Sequence, residues 1–269
     1  MELQSRVDDL KRRGLTMTAV SYDARAVLAD FASRRAITFP LLSDPGSPTI
    51  RAYGLLNTTV QPGTLADGVP FPGVFVLDAN GRVTGKFFEQ AYQERYTVSS
   101  MLVKLGQSVE RPAAETVTPH LRVRASATDG AVVPGRRISL MVDIVPNGGI
   151  HVYAPGAEGY RPIALVLNDA TGVANGETVY PKAEPYVFKP LKETVPVFKA
   201  PFRLVRDITF QRLPPPAAGS GPAPQTVTIS GRLDYQACDD RVCFNPVSIP
   251  LSWSFEIGAL DRERSGAKR

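Results

Sequence analysis

The sequence predicts two domains of different class, an α/β domain followed by an all-β sandwich. Three observations carry this. The chain has 269 residues, more than one ordinary domain needs. Its first 107 residues alternate helical and extended patterns, whereas residues 120–258 read as successive strands of period two. Between them, "QSVERPAAETVTP" is polar, contains proline and has no periodicity, so 108–119 is expected to be a linker.

In the first half, Leu3, Val7, Leu10 and Leu15 line one side of a first helix that ends at Gly14. "LTMTAVSYD" (15–23) is expected to be a short buried strand. A helix follows over 24–36, with Val27, Leu28, Phe31 and Ala32 at helical spacing. "ITFPLLSD" is extended, and Pro48 opens a short helix. In "GVFVLDANGRVTGKFF" (73–88) two β-rich runs flank Asn80-Gly81, whose tolerance of positive φ closes a tight hairpin. A last helix is expected over 92–105.

In the second half, Ile138, Leu140, Val142 and Ile144 recur at every second position. So do Val227, Ile229, Leu233 and Tyr235, and then Val247, Ile249, Leu251, Trp253 and Phe255. Gly/Pro turns separate these runs, which suits an antiparallel sandwich. Residues 213–225 form a Pro-rich insert and 259–269 a charged tail.

Composition narrows the function classes. Net charge is +5, but Lys and Arg are spread along the chain, so no nucleic-acid surface is indicated. No apolar run reaches 18 residues, so no membrane span is expected. No residue pattern asks for a cofactor.

The chemistry concentrates at "YQACDDRVCFNP" (235–246), which holds the only two cysteines, Cys238 and Cys243. The spacing suits a hairpin connection able to bring the two Cα atoms within the roughly 4.4–6.8 Å that a disulfide needs. Three readings fit: a structural staple, a metal clip and a redox-active pair. The metal reading is weakest, since only His120 and His151 are available as further soft ligands, both far off in sequence; no metal is expected. Asp239 and Asp240 oppose a nearby thiolate and Arg241 offsets them in part, so thiol pKa values at or above the ordinary are expected. Such a pair exchanges best with a docked partner that brings its own reactive thiol.

Two resemblances sharpen these readings. "AVSYDARAVLADFASRRAITFPLLSDPGSPTIRAYGL" with "PFPGVFVLDANGRV" resembles the peroxiredoxin branch of the thioredoxin superfamily, the AhpC/TSA type. The resemblance implies an α/β thioredoxin-like domain and makes Pro72 a candidate cis-proline. It also implies a reactive cysteine or selenocysteine at the start of the first long helix, yet residues 1–237 contain no cysteine. The domain is therefore expected to be incomplete, truncated at its N-terminus, as would follow if a selenocysteine codon upstream were read as a stop. No residue present supports peroxidase chemistry.

"LDYQACDDRVCFNPVSIPLSW", with "GGIHVYAPG" and "VYPKAEPYVFKPLKETVPVF" upstream, resembles the N-terminal periplasmic domain of the thiol:disulfide interchange protein DsbD, an immunoglobulin-like module. It differs by a shorter spacing between the cysteines and by the Pro-rich insert. The resemblance implies that the pair relays electrons to or from thioredoxin-like redox proteins, that Cys243 is the cysteine attacked, and that the compartment is extracytoplasmic, such as a bacterial periplasm. It also implies an aromatic cap over the disulfide, for which Tyr186 and Phe188 are candidates, with Tyr153 and His151 flanking the site. Tyr186 and Phe188 fit ordinary packing equally well, and a lone strand histidine such as His151 is more often a packed or surface residue. The alternatives are a non-catalytic binding module with a structural disulfide, and an inactive redoxin acting as a scaffold.

Overall fold

In the computed structural model the chain divides into two compact units, Met1–Met101 with Leu260–Arg269, and Leu102–Ala259. The structure describes residues 2–64, 66–88, 94–188, 193–211 and 226–258. The Pro-rich insert and the charged tail lie outside these residues.

The first unit contains α1 (Glu2–Ser5), α2 (Val7–Arg12), β1 (Ala19–Ser21), α3 (Arg25–Arg34), β2 (Leu41–Ser43), α4 (Pro48–Ala52), β3 (Gly73–Leu77), β4 (Val83–Phe88) and β5 (Arg95–Tyr96). The chain passes to the second unit within α5 (Val98–Lys104). β1 and β2 pair in parallel, β3 and β4 antiparallel, and the two pairs form separate two-stranded sheets. The predicted order of helix and strand is thus present, but the sheet is in two pieces. Gly14 does end the first helical segment. Its φ of 76° lets the Leu15 amide return to the Leu10 carbonyl at 2.9 Å.

Three expectations for this half need correction. The strand expected over 15–23 is only three residues long, and Val20 is 46% exposed; in a two-stranded sheet no further layer covers it. The last helix begins at Val98 rather than at residue 92, because Thr97 caps it: the Thr97 hydroxyl accepts the Ser100 amide at 3.2 Å. The peptide bond before Pro72 is trans, so Pro72 is not the cis-proline that the resemblance implied. Trans is the lower-energy state of an X-Pro bond unless packing enforces the other.

The β3–β4 hairpin is where expected, with a different turn. Only Gly81 has positive φ, and the Asp78 carboxylate accepts the Asn80 and Arg82 amides, each at 2.9 Å. This is a type I turn followed by a glycine bulge, which the shift of register between Val76 and Leu77 accompanies.

The second unit is all-β after α5. Its strands are β6 (Ala114–Val117), β7 (Leu121–Ala127), β8 (Ala131–Val132), β9 (Arg136–Pro146), β10 (His151–Tyr153), β11 (Ala164–Leu167), β12 (Val173–Val179), β13 (Glu184–Phe188), β14 (Glu193–Phe198), β15 (Phe202–Phe210), β16 (Thr226–Tyr235), β17 (Ala237–Cys238) and β18 (Val247–Ile257). β6 corrects the expected linker: residues 114–117 pair with β7 as an edge strand of the sandwich. Four residues are too few for a periodic signal.

Three sheets result. One has the order β12-β15-β9-β7-β6, the second β11-β16-β18-β8, and the third β13-β14-β10-β17. The first two share the main core. Ile138, Leu140, Val142 and Ile144 of β9 are buried opposite Ile249, Leu251, Trp253 and Phe255 of β18, as their alternation predicts. The Trp253 indole, buried between the sheets, donates to the Ser126 carbonyl at 2.9 Å. The third sheet sends Val152, Phe198 and Ala237 into the same core and keeps its other face for the cysteines.

Candidate functional site

Cys238 and Cys243 are joined in a disulfide with Cα atoms 4.1 Å apart, slightly under the range expected. They are not, however, the ends of the two long strands. β16 and β18 pair as far as Tyr235 and Val247. Between these residues the chain leaves the sheet, and Ala237–Cys238 becomes β17 at the edge of the third sheet. Tyr235 and Ala237 explain the detour, since both are fully buried in the main core and anchor the chain on either side of Gln236. The Gln236 side-chain amide donates to the Phe244 carbonyl at 3.2 Å.

From Cys238 the chain makes a miniature hairpin. Cys238 and Cys243 form a bridge, and the Phe244 amide returns to the Ala237 carbonyl at 2.8 Å. Asp239 builds the turn: its carboxylate accepts the Arg241 and Val242 amides, each at 2.7 Å. Those backbone hydrogen bonds hold its pKa below the ordinary carboxylate value. One acidic residue of the spacer is therefore a turn former as well as a charge.

The two sulfurs differ in access. Cys238 is 1% exposed, whereas Cys243 is exposed, with exposed Val242 beside it. Antiparallel register places His151 directly opposite Cys238 and Val152 opposite Ala237. His151, Tyr153 and Cys238 consequently share one face of the sheet. On that face the Tyr153 hydroxyl lies 3.2 Å from Cys238 Sγ and 3.3 Å from Cys243 Sγ. The disulfide has no proton, so the hydroxyl is the donor to both. Burial, with further contributions from Tyr160, Tyr186 and Glu193, pushes the Tyr153 pKa up to about 12, so it keeps that proton.

Aromatic rings cover the site. Tyr160 stacks on Tyr153 with centroids 4.2 Å apart, and its hydroxyl donates to Glu193 at 2.9 Å. Tyr186, on β13, lies 4.3 Å from the His151 ring, and its hydroxyl donates to Asp240 at 2.8 Å. Asp240 is thus the anchor by which β13 holds the cysteine loop. Phe188 is paired in β13 through its backbone, opposite Glu193, but its side chain lies outside the described residues.

His151 is 3% exposed, and its Nε2 has no hydrogen-bond partner among the described residues. Burial lowers its pKa below the usual histidine value, against the pull of Asp240; Lys199 adds to the lowering. The structure therefore brings together Cys238, Cys243, Tyr153, His151, Tyr186, Asp239 and Asp240, and leaves Pro72 in the other unit. Among the described residues no cluster of three metal-ligating side chains exists.

Sequence reasoning missed Tyr160, Glu193, Phe244 and His120. The His120 ring lies tilted against Phe244 with centroids 4.4 Å apart, so both histidines of the chain touch the cysteine loop or the strand that faces it. The rarity of histidine was the available signal. Tyr160 and Glu193 lie in segments with no distinguishing pattern and arrive by chain reversal alone.

Comparison with known proteins divides along the same line. Residues 1–86 match the AhpC/TSA family. Two proteins of Mycobacterium tuberculosis that carry peroxiredoxin in their names, Rv2521 of strain H37Rv and MT2597 of strain CDC 1551, are each 30% identical to this chain over 82 residues, 30% of this chain and 52% of theirs. The chain thus spans about half the length of the curated relatives it matches. Among solved structures, the N-terminal periplasmic domain of ScsB from Proteus mirabilis aligns at 14% identity and a TM-score of 0.36, over 51% of this chain and 49% of that one. The N-terminal domain of Neisseria meningitidis DsbD, in its reduced form, aligns at 14% identity and a TM-score of 0.28, over 44% of this chain and 81% of that one. Both resemblances seen in the sequence are matched, one in each half of the chain. Neither structural likeness reaches a TM-score of 0.5.

Proposed function

We propose that the second unit is a thiol–disulfide exchange module that relays electrons through Cys238–Cys243 to or from a thioredoxin-like partner. The observation that carries this reading is the asymmetry of the disulfide. A staple has no use for one exposed sulfur, one buried sulfur and a hydroxyl aimed at both. An exchange site needs all three features. The partner's thiolate attacks exposed Cys243, a mixed disulfide forms there, and Cys238 leaves with the electron pair. The Tyr153 hydroxyl donates more strongly to the departing thiolate than to the neutral disulfide, so it favours the transition state over the ground state. The aromatic cover over Cys238 restricts attack to one sulfur.

The acidic residues limit reactivity. Asp239 and Asp240 oppose thiolate formation in the reduced pair, which suits exchange within a docked complex better than free reaction with small oxidants. Exposed Val242 beside Cys243 offers the apolar contact such docking uses. A persistent disulfide suits an extracytoplasmic, oxidising compartment. Among the described residues no helix is long and apolar enough to cross a membrane. The first unit supplies no cysteine, so on these residues it has a scaffolding or docking part in the relay.

The Cys238→Ser variant tests the reading. It should trap a thioredoxin-like protein as a mixed disulfide through Cys243, while Cys243→Ser traps none. The pair of the unaltered chain should have a reduction potential above roughly −300 mV. A lower potential with no trapped species would make the bond a structural staple.

A further inference from the structure

The exchange step leaves a chemical problem at the buried end of the disulfide. When Cys243 is attacked, the Cys243–Cys238 bond breaks and the electron pair stays on Cys238 Sγ. That sulfur is 1% exposed. A thiolate there is desolvated and shares its loop with the carboxylates of Asp239 and Asp240, so it needs a proton. With Cys238 closed off, the proton is best supplied by a neighbouring group that has taken it up before the bond breaks.

Two groups share its face of the sheet. Tyr153 touches the sulfur but holds its proton too tightly to give it up at neutral pH. The other is His151, directly across the strand pair from Cys238, buried, with an unpartnered ring nitrogen. A buried imidazole nitrogen without a hydrogen bond is costly in a merely structural role. We infer that His151 is the proton donor to Cys238 when the disulfide opens, an inference that rests on the exchange reading above.

The step balances as follows. The attacking thiol ionises and its proton goes to water, and water gives one proton to the His151 ring. The thiolate bonds to Cys243 Sγ as the Cys243–Cys238 bond breaks. The His151 imidazolium then protonates Cys238 Sγ and returns to the neutral ring. One thiol is consumed and one is formed, and no outside oxidant or reductant enters beyond the attacking thiol.

The charged and titratable groups around the ring fit this cycle. Asp239 and Asp240 of the cysteine loop favour the protonated ring, which helps it take up its proton, and disfavour a thiolate, which makes the sulfur the better final acceptor. Burial and Lys199, which follows β14, pull the other way and return the ring to neutrality afterwards. Tyr186 of β13 and Tyr153 of β10 enclose it at ring distances of 4.3 and 5.7 Å.

The test is the rate at which reduced glutathione opens the disulfide of the full chain between pH 5.5 and 8.5, divided by the glutathione thiolate fraction at each pH. In the unaltered chain this normalised rate should rise toward acid by about tenfold or more, as general-acid catalysis predicts. In His151→Gln the rise should disappear. In Asp240→Asn it should survive with its midpoint at lower pH, since a carboxylate that favours the charged ring is gone. A flat profile in the unaltered chain, a measurement that depends on no variant folding, overturns the inference while leaving the exchange reading intact. So does a His151→Gln variant that keeps the rise. A disulfide that glutathione fails to open at any pH overturns both.

Discussion

Tyr153 and His151 have opposite titration behaviour on one strand, and each leads to a prediction. Tyr153→Phe removes the donor to both sulfurs and nothing else of similar size. Reduction by a thiol should slow by about tenfold, the equivalent of roughly 1.4 kcal/mol and just under the range of about 1.5–3 kcal/mol for a hydrogen bond to a charged group. Circular dichroism should show the fold unchanged; an unaltered rate would mean that the hydroxyl only packs. For His151 the sign follows from its lowered pKa. Below the ordinary histidine pKa of about 6.5 the unfolded chain binds a proton that the folded chain does not, so stability present above that pH is lost as the pH falls toward the folded value. The melting temperature should drop on acidification through this window, and His151→Gln should remove that part of the drop. A slope of equal size in the variant would assign it to other groups.

At the level of elements, the site is an edge strand and a hairpin tied together. β17 is two residues long and is held by β10 on one side and by the short Cys238–Cys243 bridge on the other, so its position depends on side chains as well as on ladder bonds. The Tyr186–Asp240 hydrogen bond holds β13 against the cysteine loop. Tyr186→Phe keeps the ring over His151 and removes only that tie. Opening of the disulfide by a small thiol should become a few-fold faster, in keeping with the modest strength of a partly exposed hydrogen bond. A rate equal to or below that of the unaltered chain would show that the tie does not limit access. Element boundaries were legible in the sequence only where burial alternates cleanly. β18 shows strict alternation and was found in full. β6 and β17 are too short to show a period, and α5 starts at a cap that the apolar pattern of its surroundings obscured.

Across the second unit, the disulfide closes too small a ring to be a main source of stability. Loop-closure entropy for so short a ring amounts to about 2 kcal/mol, the low end for disulfides. Replacing both cysteines by alanine should therefore lower the melting temperature by less than about 8 °C and leave the sandwich folded. Phe210→Ala, which empties a fully buried position of the main core, should cost about 3–5 kcal/mol and lower it further. The reverse order would restore the staple as the better account of the bond.

By itself the sequence determined the division into an α/β and an all-β half, the faces of the long strands, and the two cysteines as the place where chemistry concentrates. These are local properties: side-chain periodicity, turn residues and the rarity of sulfur are all written in neighbouring positions. Only the tertiary structure decided that the cysteines sit on a detour to another sheet, that Cys243 is open and Cys238 closed, and that His151 lies directly across the strand pair from Cys238. Asp239 shows the limit well, because its charge was legible and its role as the turn former was not. The physical reason is that access, desolvation and cross-strand register arise between segments 85 or more residues apart, such as Tyr153 and Cys238, and no local pattern encodes which of them will meet.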